Sequence, residues 1–459
     1  GAYNLLLVRW DMKKTLVLVL CGVLLGVVAT WAVMRYVVPN WKRSAVDNTY
    51  WQVTSRLDPG GEAFAYFHAE EVGKAAQAIL DGLLRNVASL PAGSREQALK
   101  SLGMVDLMFK GYGLDEISGV GFSSFAIKPG LHRVRAVIHH RPGRDKGLLW
   151  NILGPAPRAL DEAEMLPAGA ALATVSDYDF FKLIEWTSQI APRIAGQAGA
   201  TVQAPTPEQS MAMVKAGLQM AGIDYDRLRK SYGGRLGMVL TLDPEKRTVL
   251  PAKERPLSIP EPGFALLIRV NDTYLFDTLR AKLPPQSQAR FSDAGGVKKI
   301  AFPRLPLPLP LEPVIMQRGE WLAAASRPAL AEKIFDRRSP RLAAGAAFRE
   351  ISAKAPRRGN GFGYVDPLLP RLLAQALREN MAGFQPHAAL EKILAALENG
   401  RGMYWVVENS GAGLVYTMNH TLEISSLPGV IEAVAQIAAE KAKEKAAAMP
   451  AGEEPSRNE

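Results

Sequence analysis

GFALLIRVNDTYLFDTL, residues 263–279, opens on a glycine, stays largely apolar to Val270, turns polar at Asn271-Asp272-Thr273, and then places Leu275 and Leu279 at helical spacing. A short apolar run bounded by turn residues reads as a strand. Asn and Asp side chains accept hydrogen bonds from the first free N–H groups of a helix, so the spacing predicts strand, cap and helix in that order. Three other segments repeat the pattern: EAFAYFHAEEVGKAAQAIL from Glu62, GAALATVSDYDFFKLIEW from Gly169 and GFGYVDPLLPRLLAQAL from Gly361. In the last two the strand ends on Val175 or Val365, and Ser176-Asp177 or Asp366-Pro367 follows as the cap. Pro367 suits the first helical position, where its missing donor is not needed. Phe180, Phe181 and Ile184, and Leu368, Leu372 and Leu373, then give each helix one apolar face.

Between these units lie hairpin signals. Ile117 to Ile127 and His132 to Ile138 flank Lys128-Pro129-Gly130; Val314 to Gln317 and Trp321 to Ala325 flank Arg318-Gly319; Met403 to Val407 and Leu414 to Met418 flank Asn409-Ser410-Gly411. Leu236 to Leu242 running into Asp243-Pro244 is a further strand. The expected fold class is α+β: tandem, mainly antiparallel sheet and helix repeats, two in a lobe over residues 45–258 and two in a lobe over residues 259–427. GVIEAVAQIAAEKAKEKAAA, within residues 428–448, reads as a C-terminal helix, and residues 449–459, with Pro450, Gly452 and Pro455, as a disordered tail.

At the other end, TLVLVLCGVLLGVVATWAVM, residues 15–34, carries no charge and lies between Lys13-Lys14 and Arg35. Twenty helical residues at about 1.5 Å each cover roughly the 30 Å core of a bilayer, so residues 15–38 are expected to be a single transmembrane anchor, with residues 1–14 cytoplasmic. The run is longer than a signal-peptide core, and Thr30-Trp31-Ala32 is a poor cleavage site, which favours a signal anchor over a cleaved leader. Gly22, Gly26 and Thr30 lie four apart, the spacing of a helix-pairing seam and so of a homodimer through the membrane, against the plainer reading that glycine is simply common in spans. Met12-Lys13-Lys14 puts the N-terminus in the cytoplasm, and the expected address is the inner membrane with the body in the periplasm. The chain's one cysteine, Cys21, leaves the body no internal disulfide.

The chain as a whole is 48% hydrophobic and 22% charged, a globular composition, and its net charge of +10 favours anionic lipid or glycan partners. Its Lys and Arg are dispersed and not interleaved with aromatics, which argues against nucleic acid.

Leu166-Pro167-Ala168-Gly169-Ala170 with Asp177 to Phe181, Pro260 to Phe264 with Asp272 to Phe276, and Trp321 to Ser326 with Arg327-Pro328-Ala329-Leu330 carry a resemblance to uncharacterised bacterial membrane-anchored envelope proteins. The likeness spans most of Ala45 to Leu427 and implies a repeated α+β fold and an envelope address, with no active site to carry over.

Chemical signatures are sparse. His68 with Glu70 and Glu71, and His139-His140, lack the spacing of a metal site. Ser123 and Ser124 in GFSSF are not a nucleophile elbow, and Gly119-Val120-Gly121 lacks the third glycine of a dinucleotide loop. No cofactor is expected. RLPLPLPLEP, residues 304–313, must be extended, either as polyproline II that docks in an aromatic groove or, the favoured reading, as an edge strand with its leucines turned inward. The function expected is non-catalytic: binding or scaffolding of another envelope component or of an amphipathic ligand. The alternative is a hydrolase or transferase whose polar groups converge only in three dimensions.

Overall fold

The computed structural model describes residues 48–69, 107–197, 205–250, 256–307, 311–381 and 402–421, with isolated positions between them (95, 99, 103, 104, 309, 391, 394, 395 and 397–400). The chain divides into two compact units. One, residues Val46–Leu372 with Arg401–Thr421, is built on a single sheet. The other takes in Gly1–Ala45, Leu373–Gly400 and Leu422–Glu459. Its described part includes Arg378, which holds Glu398 at 2.6 Å and Glu391 at 2.9 Å.

The sheet's strands are β1 (Ala63–His68), β2 (Ile117–Lys128), β3 (Leu131–His140), β5 (Ala170–Asp177), β6 (Tyr232–Leu250), β7 (Leu257–Val270), β8 (Arg290–Ala294), β9 (Val297–Ala301), β10 (Val314–Arg318), β11 (Trp321–Ala325), β13 (Gly361–Val365), β14 (Met403–Ser410) and β15 (Gly413–His420). Two short strands, β4 (Arg158–Ala159) and β12 (Arg358–Gly359), pair separately. The main sheet has 13 strands in the order β1-β2-β3-β15-β14-β13-β5-β6-β7-β11-β10-β9-β8. Its pairings are antiparallel, as in Phe362↔Val175 and Leu267↔Gly237.

This corrects the expected fold class. The units do not each carry a small sheet of their own; their strands merge into one, and β13 to β15 of the last unit lie between β3 and β5. A two- or three-stranded sheet leaves both edges and much of its apolar surface open, and merging removes those inner edges. The anchor is corrected as well. Among the described residues no helix is long and apolar enough to cross a membrane, so the transmembrane and signal-anchor reading is not supported. The 18-residue helix Phe180–Gln197 shows why: Lys182, Glu185, Pro192 and Arg193 interrupt it, and it is apolar along one side only. Residues 15–38, the Gly22, Gly26 and Thr30 seam, the helix expected after Glu70 and the C-terminal helix of residues 428–448 lie outside the described residues.

The caps largely follow the sequence. Asp366 accepts from the Leu368 N–H at 2.8 Å and Asp272 from the Tyr274 N–H at 2.9 Å. In the second unit the cap is Asp179, which accepts from the Lys182 N–H at 3.0 Å, because Asp177 is drawn into an ion cluster.

One face of the sheet is closed. Ala173, Val175, Val239, Ala265, Leu267, Ala323, Phe362 and Val406 pack there against Ala331 and Ile334 of the helix Pro328–Phe335, Phe348 and Ile351 of the helix Ala346–Ile351, and Ala163, Leu166 and Leu342. Toward β1 the helix Asn48–Thr54 and Leu57 continue the cover, with Val53 and Leu57 on Tyr66 and Val137. Between these two clusters the same face turns polar: Arg135 reaches Asp58 at 3.4 Å, and Arg133 donates to Asn419 at 3.1 Å. Burial pushes the Glu408 carboxyl in this zone above the usual carboxylate range, against the opposing pull of Arg135 and Arg56. A carboxyl whose pKa rises on folding favours the fold most while protonated, and that contribution is lost as pH climbs through its folded value. Glu408→Gln is therefore expected to raise the melting temperature at neutral pH, with the gap closing toward about pH 4; thermal melts across that range check it.

Candidate functional site

The opposite face of the central strands is apolar and half bare. Side chains alternate strictly along a strand, so Leu172 and Thr174 of β5, Met238 and Leu240 of β6, Phe264 and Leu266 of β7 and Ala324 of β11 share the side away from the closed core. Their neighbours Val239, Ala265 and Leu267 are 0% exposed, whereas Phe264 is 43% and Leu266 38% exposed. Toward β8 this face is covered: Phe276 of the helix Tyr274–Lys282 packs with Val270, Ile300 and Leu322. Strands with apolar residues on both sides are the composition of a sheet buried on both faces. Here the middle of the sheet keeps that composition and has an open surface.

The strip is open ground, not a cavity. Two recessed grooves, of about 440 and 540 Å³, lie elsewhere. The first is lined by Arg227, Asp272, Tyr274, Asp277 and Lys282, the second by Glu164, Arg337 and Arg341. In the first, Asp277 is held below the usual carboxylate range by Thr273 and Lys298, which outweigh its partial burial.

The groups singled out in the sequence are dispersed or sealed. Ser123 and Ser124 are fully buried on β2, and Ser123 Oγ accepts from the Asp58 N–H at 3.0 Å. His68 ends β1, and Glu70 and Glu71 lie outside the described residues. His140 packs on Trp150 with ring centroids 4.6 Å apart. His139 Nδ1 lies 2.6 Å from Ser118 Oγ, a pairing the sequence did not announce, because β2 and β3 bring together residues 21 apart. Both side chains are at most 2% exposed, so no substrate reaches the pair. His132 meets Glu62 at 3.2 Å and stacks on His420, away from either groove. Among the described residues no three His, Cys, Asp or Glu side chains gather to hold a metal ion.

The densest charged cluster is also internal. Asp177 accepts from Arg158 Nε at 2.7 Å and Arg235 Nε at 2.9 Å, while Glu162 takes Nη1 of both arginines at 2.8 Å. The four side chains are 3 to 17% exposed. Each carboxylate faces two guanidinium groups in a site largely closed to solvent; the ring ties β4 and the turn Glu162–Glu164 to β5 and β6.

No protein-family model, curated protein or solved structure matches the chain.

Proposed function

We propose that the protein is a non-catalytic docking scaffold and that the open face of β5, β6 and β7 receives the apolar side of an amphipathic helix from a partner protein. The observation that carries this reading is the exposure of Phe264 and Leu266 in the middle of a 13-stranded sheet, where a protein with no use for the surface would close it. From Leu236 to Leu242 the strip runs about 20 Å, at roughly 3.3 Å per residue, which matches about four turns of helix. Covering one phenylalanine and one leucine contributes about 1.5–3 kcal/mol each, enough for a specific but reversible complex once ordering costs are met. The envelope setting belongs to the same proposal and is supported by the resemblance to envelope proteins, and an anionic partner by the chain's net charge of +10.

A pair of measurements tests it. Phe264→Ser with Leu266→Ser should lower the unfolding free energy by no more than about 2 kcal/mol, because both side chains are only partly buried. A photo-crosslinking residue at position 266 in intact cells should form an adduct with a defined protein that the same residue at the exposed Met220 does not form, and Met238→Asp should abolish that adduct. A loss of about 3 kcal/mol in the double variant would mean the face is internal cover, and identical products from positions 266 and 220 would mean it has no partner.

A further inference from the structure

The loop joining β9 to β10, residues 302–313, takes no part in the docking face proposed above. Its stem is fixed: Phe302 N–H donates to the Pro313 carbonyl at 2.9 Å, Glu312 N–H to Ser326 at 2.9 Å and Ser326 N–H to Phe264 at 2.8 Å. Past the stem the chain is not the extended strand or polyproline II helix expected from its sequence. It doubles back, with Leu305 N–H donating to the Leu311 carbonyl at 2.9 Å, Leu307 N–H to Leu305 at 2.8 Å and Leu311 N–H to Leu309 at 2.8 Å. The bond from Leu307 to Leu305 closes across Pro306, a tight turn in which the proline supplies the fixed φ. Doubling back leaves Leu305 37% and Leu307 52% exposed beside the exposed Arg304.

The backbone accounting says what such a loop can touch. From residue 304 to 312 the N–H groups belong to Arg304, Leu305, Leu307, Leu309, Leu311 and Glu312, the other positions being proline. Those of Leu305, Leu307, Leu311 and Glu312 already donate to carbonyls. A segment so poor in free donors offers no ladder to an incoming strand, and its folded shape removes the continuous polyproline II ridge that aromatic grooves grip. The same poverty suits it to the edge of hydrocarbon, where an unpaired N–H is costly and an exposed leucine is not. Arg304, and Arg290, which pairs with Ala301 at the loop's base, are exposed cations of the kind that anionic lipid headgroups attract.

We propose that Arg304, Leu305 and Leu307 form an interfacial membrane contact that seats the two leucines at the boundary between headgroups and acyl chains of an anionic bilayer. The full chain carrying Cys21→Ser and a single environment-sensitive fluorophore on Leu307→Cys tests this, with the same label on Met220→Cys as the reference, since Met220 is 89% exposed. Mixed phosphatidylcholine and phosphatidylglycerol vesicles should shift the emission at position 307 to the blue and leave position 220 at its aqueous wavelength. Arg304→Glu should reduce the shift. Attachment of the chain through another segment moves neither label, so an unshifted position 307, whether or not the chain floats with the vesicles, overturns the proposal. An equal shift at both positions overturns it too.

Discussion

Asn360→Ala is expected to lower the unfolding free energy by about 3–5 kcal/mol, read as a fall in the urea midpoint at unchanged slope. Asn360 is 0% exposed, and every polar atom of its side chain is occupied. Its amide nitrogen donates to the Leu153 carbonyl at 2.8 Å and the Ala156 carbonyl at 3.1 Å, and its oxygen accepts from the Asn409 N–H at 2.6 Å. Asn409, itself 3% exposed, donates to the Trp150 and Gly154 carbonyls at 2.8 and 2.7 Å. Two asparagines thus fasten the segment from Trp150 to Ala156 onto the ends of β13 and β14. Alanine at position 360 leaves one donor and two carbonyls buried without these partners, at about 1–3 kcal/mol each, partly relieved by entering water. Asn409→Ala should cost a similar amount, and the double variant less than the sum of the two, because the second loss falls on a segment already released. A cost below about 1 kcal/mol for Asn360→Ala would show that water replaces the latch and that the segment is not held by it.

The sequence was most informative where the deciding interactions are local. The transitions at Val270 and Val365 were legible because Asp272 and Asp366 cap residues two positions ahead, and the hairpins at Gly130, Gly319 and Gly411 because their turns sit beside their own strands. Asp177 misled because its acceptor oxygens serve two arginines, one of them 58 residues away, and a cap position cannot announce such a competitor. The merging of the sheet was illegible for the same reason. Tyr364↔Ala173 joins strands about 190 residues apart, and nothing in either apolar run names its neighbour. The strands of the open face were legible as strands, yet Phe-Ala-Leu-Leu-Ile over 264–268 is what a doubly buried strand also looks like. Its bareness depends on what does not pack there. The proline loop differs from its expected form because a proline fixes φ without fixing ψ, and ψ decides between an extended run and a tight turn such as that at Pro306.

Asp177→Ala should be comparably damaging, and it distinguishes a structural clamp from a crowd of independent surface pairs. The carboxylate joins Arg158 to Arg235, and its removal leaves two guanidinium groups, 17 and 15% exposed, sharing Glu162 alone. That is a net positive charge in a largely dry site. Truncating one member of a buried pair typically costs about 3–5 kcal/mol, most of it the penalty of the stranded charge and not the worth of the bond removed. Arg378 offers the contrast. It also faces two carboxylates, Glu391 and Glu398, but its side chain and theirs are about 40% exposed, so Arg378→Ala should cost far less than Asp177→Ala and lose even that at high salt. Replacing Arg158, Glu162, Asp177 and Arg235 together with apolar residues of similar volume should cost less than Asp177→Ala alone, since no charge is then left unmatched. Urea titrations of the three variants, at low and at high salt, give the ordering. A salt-sensitive loss below about 1 kcal/mol for Asp177→Ala would place the cluster with the exposed pairs and remove its role in tying Arg158 and the Glu162–Glu164 turn to β5 and β6.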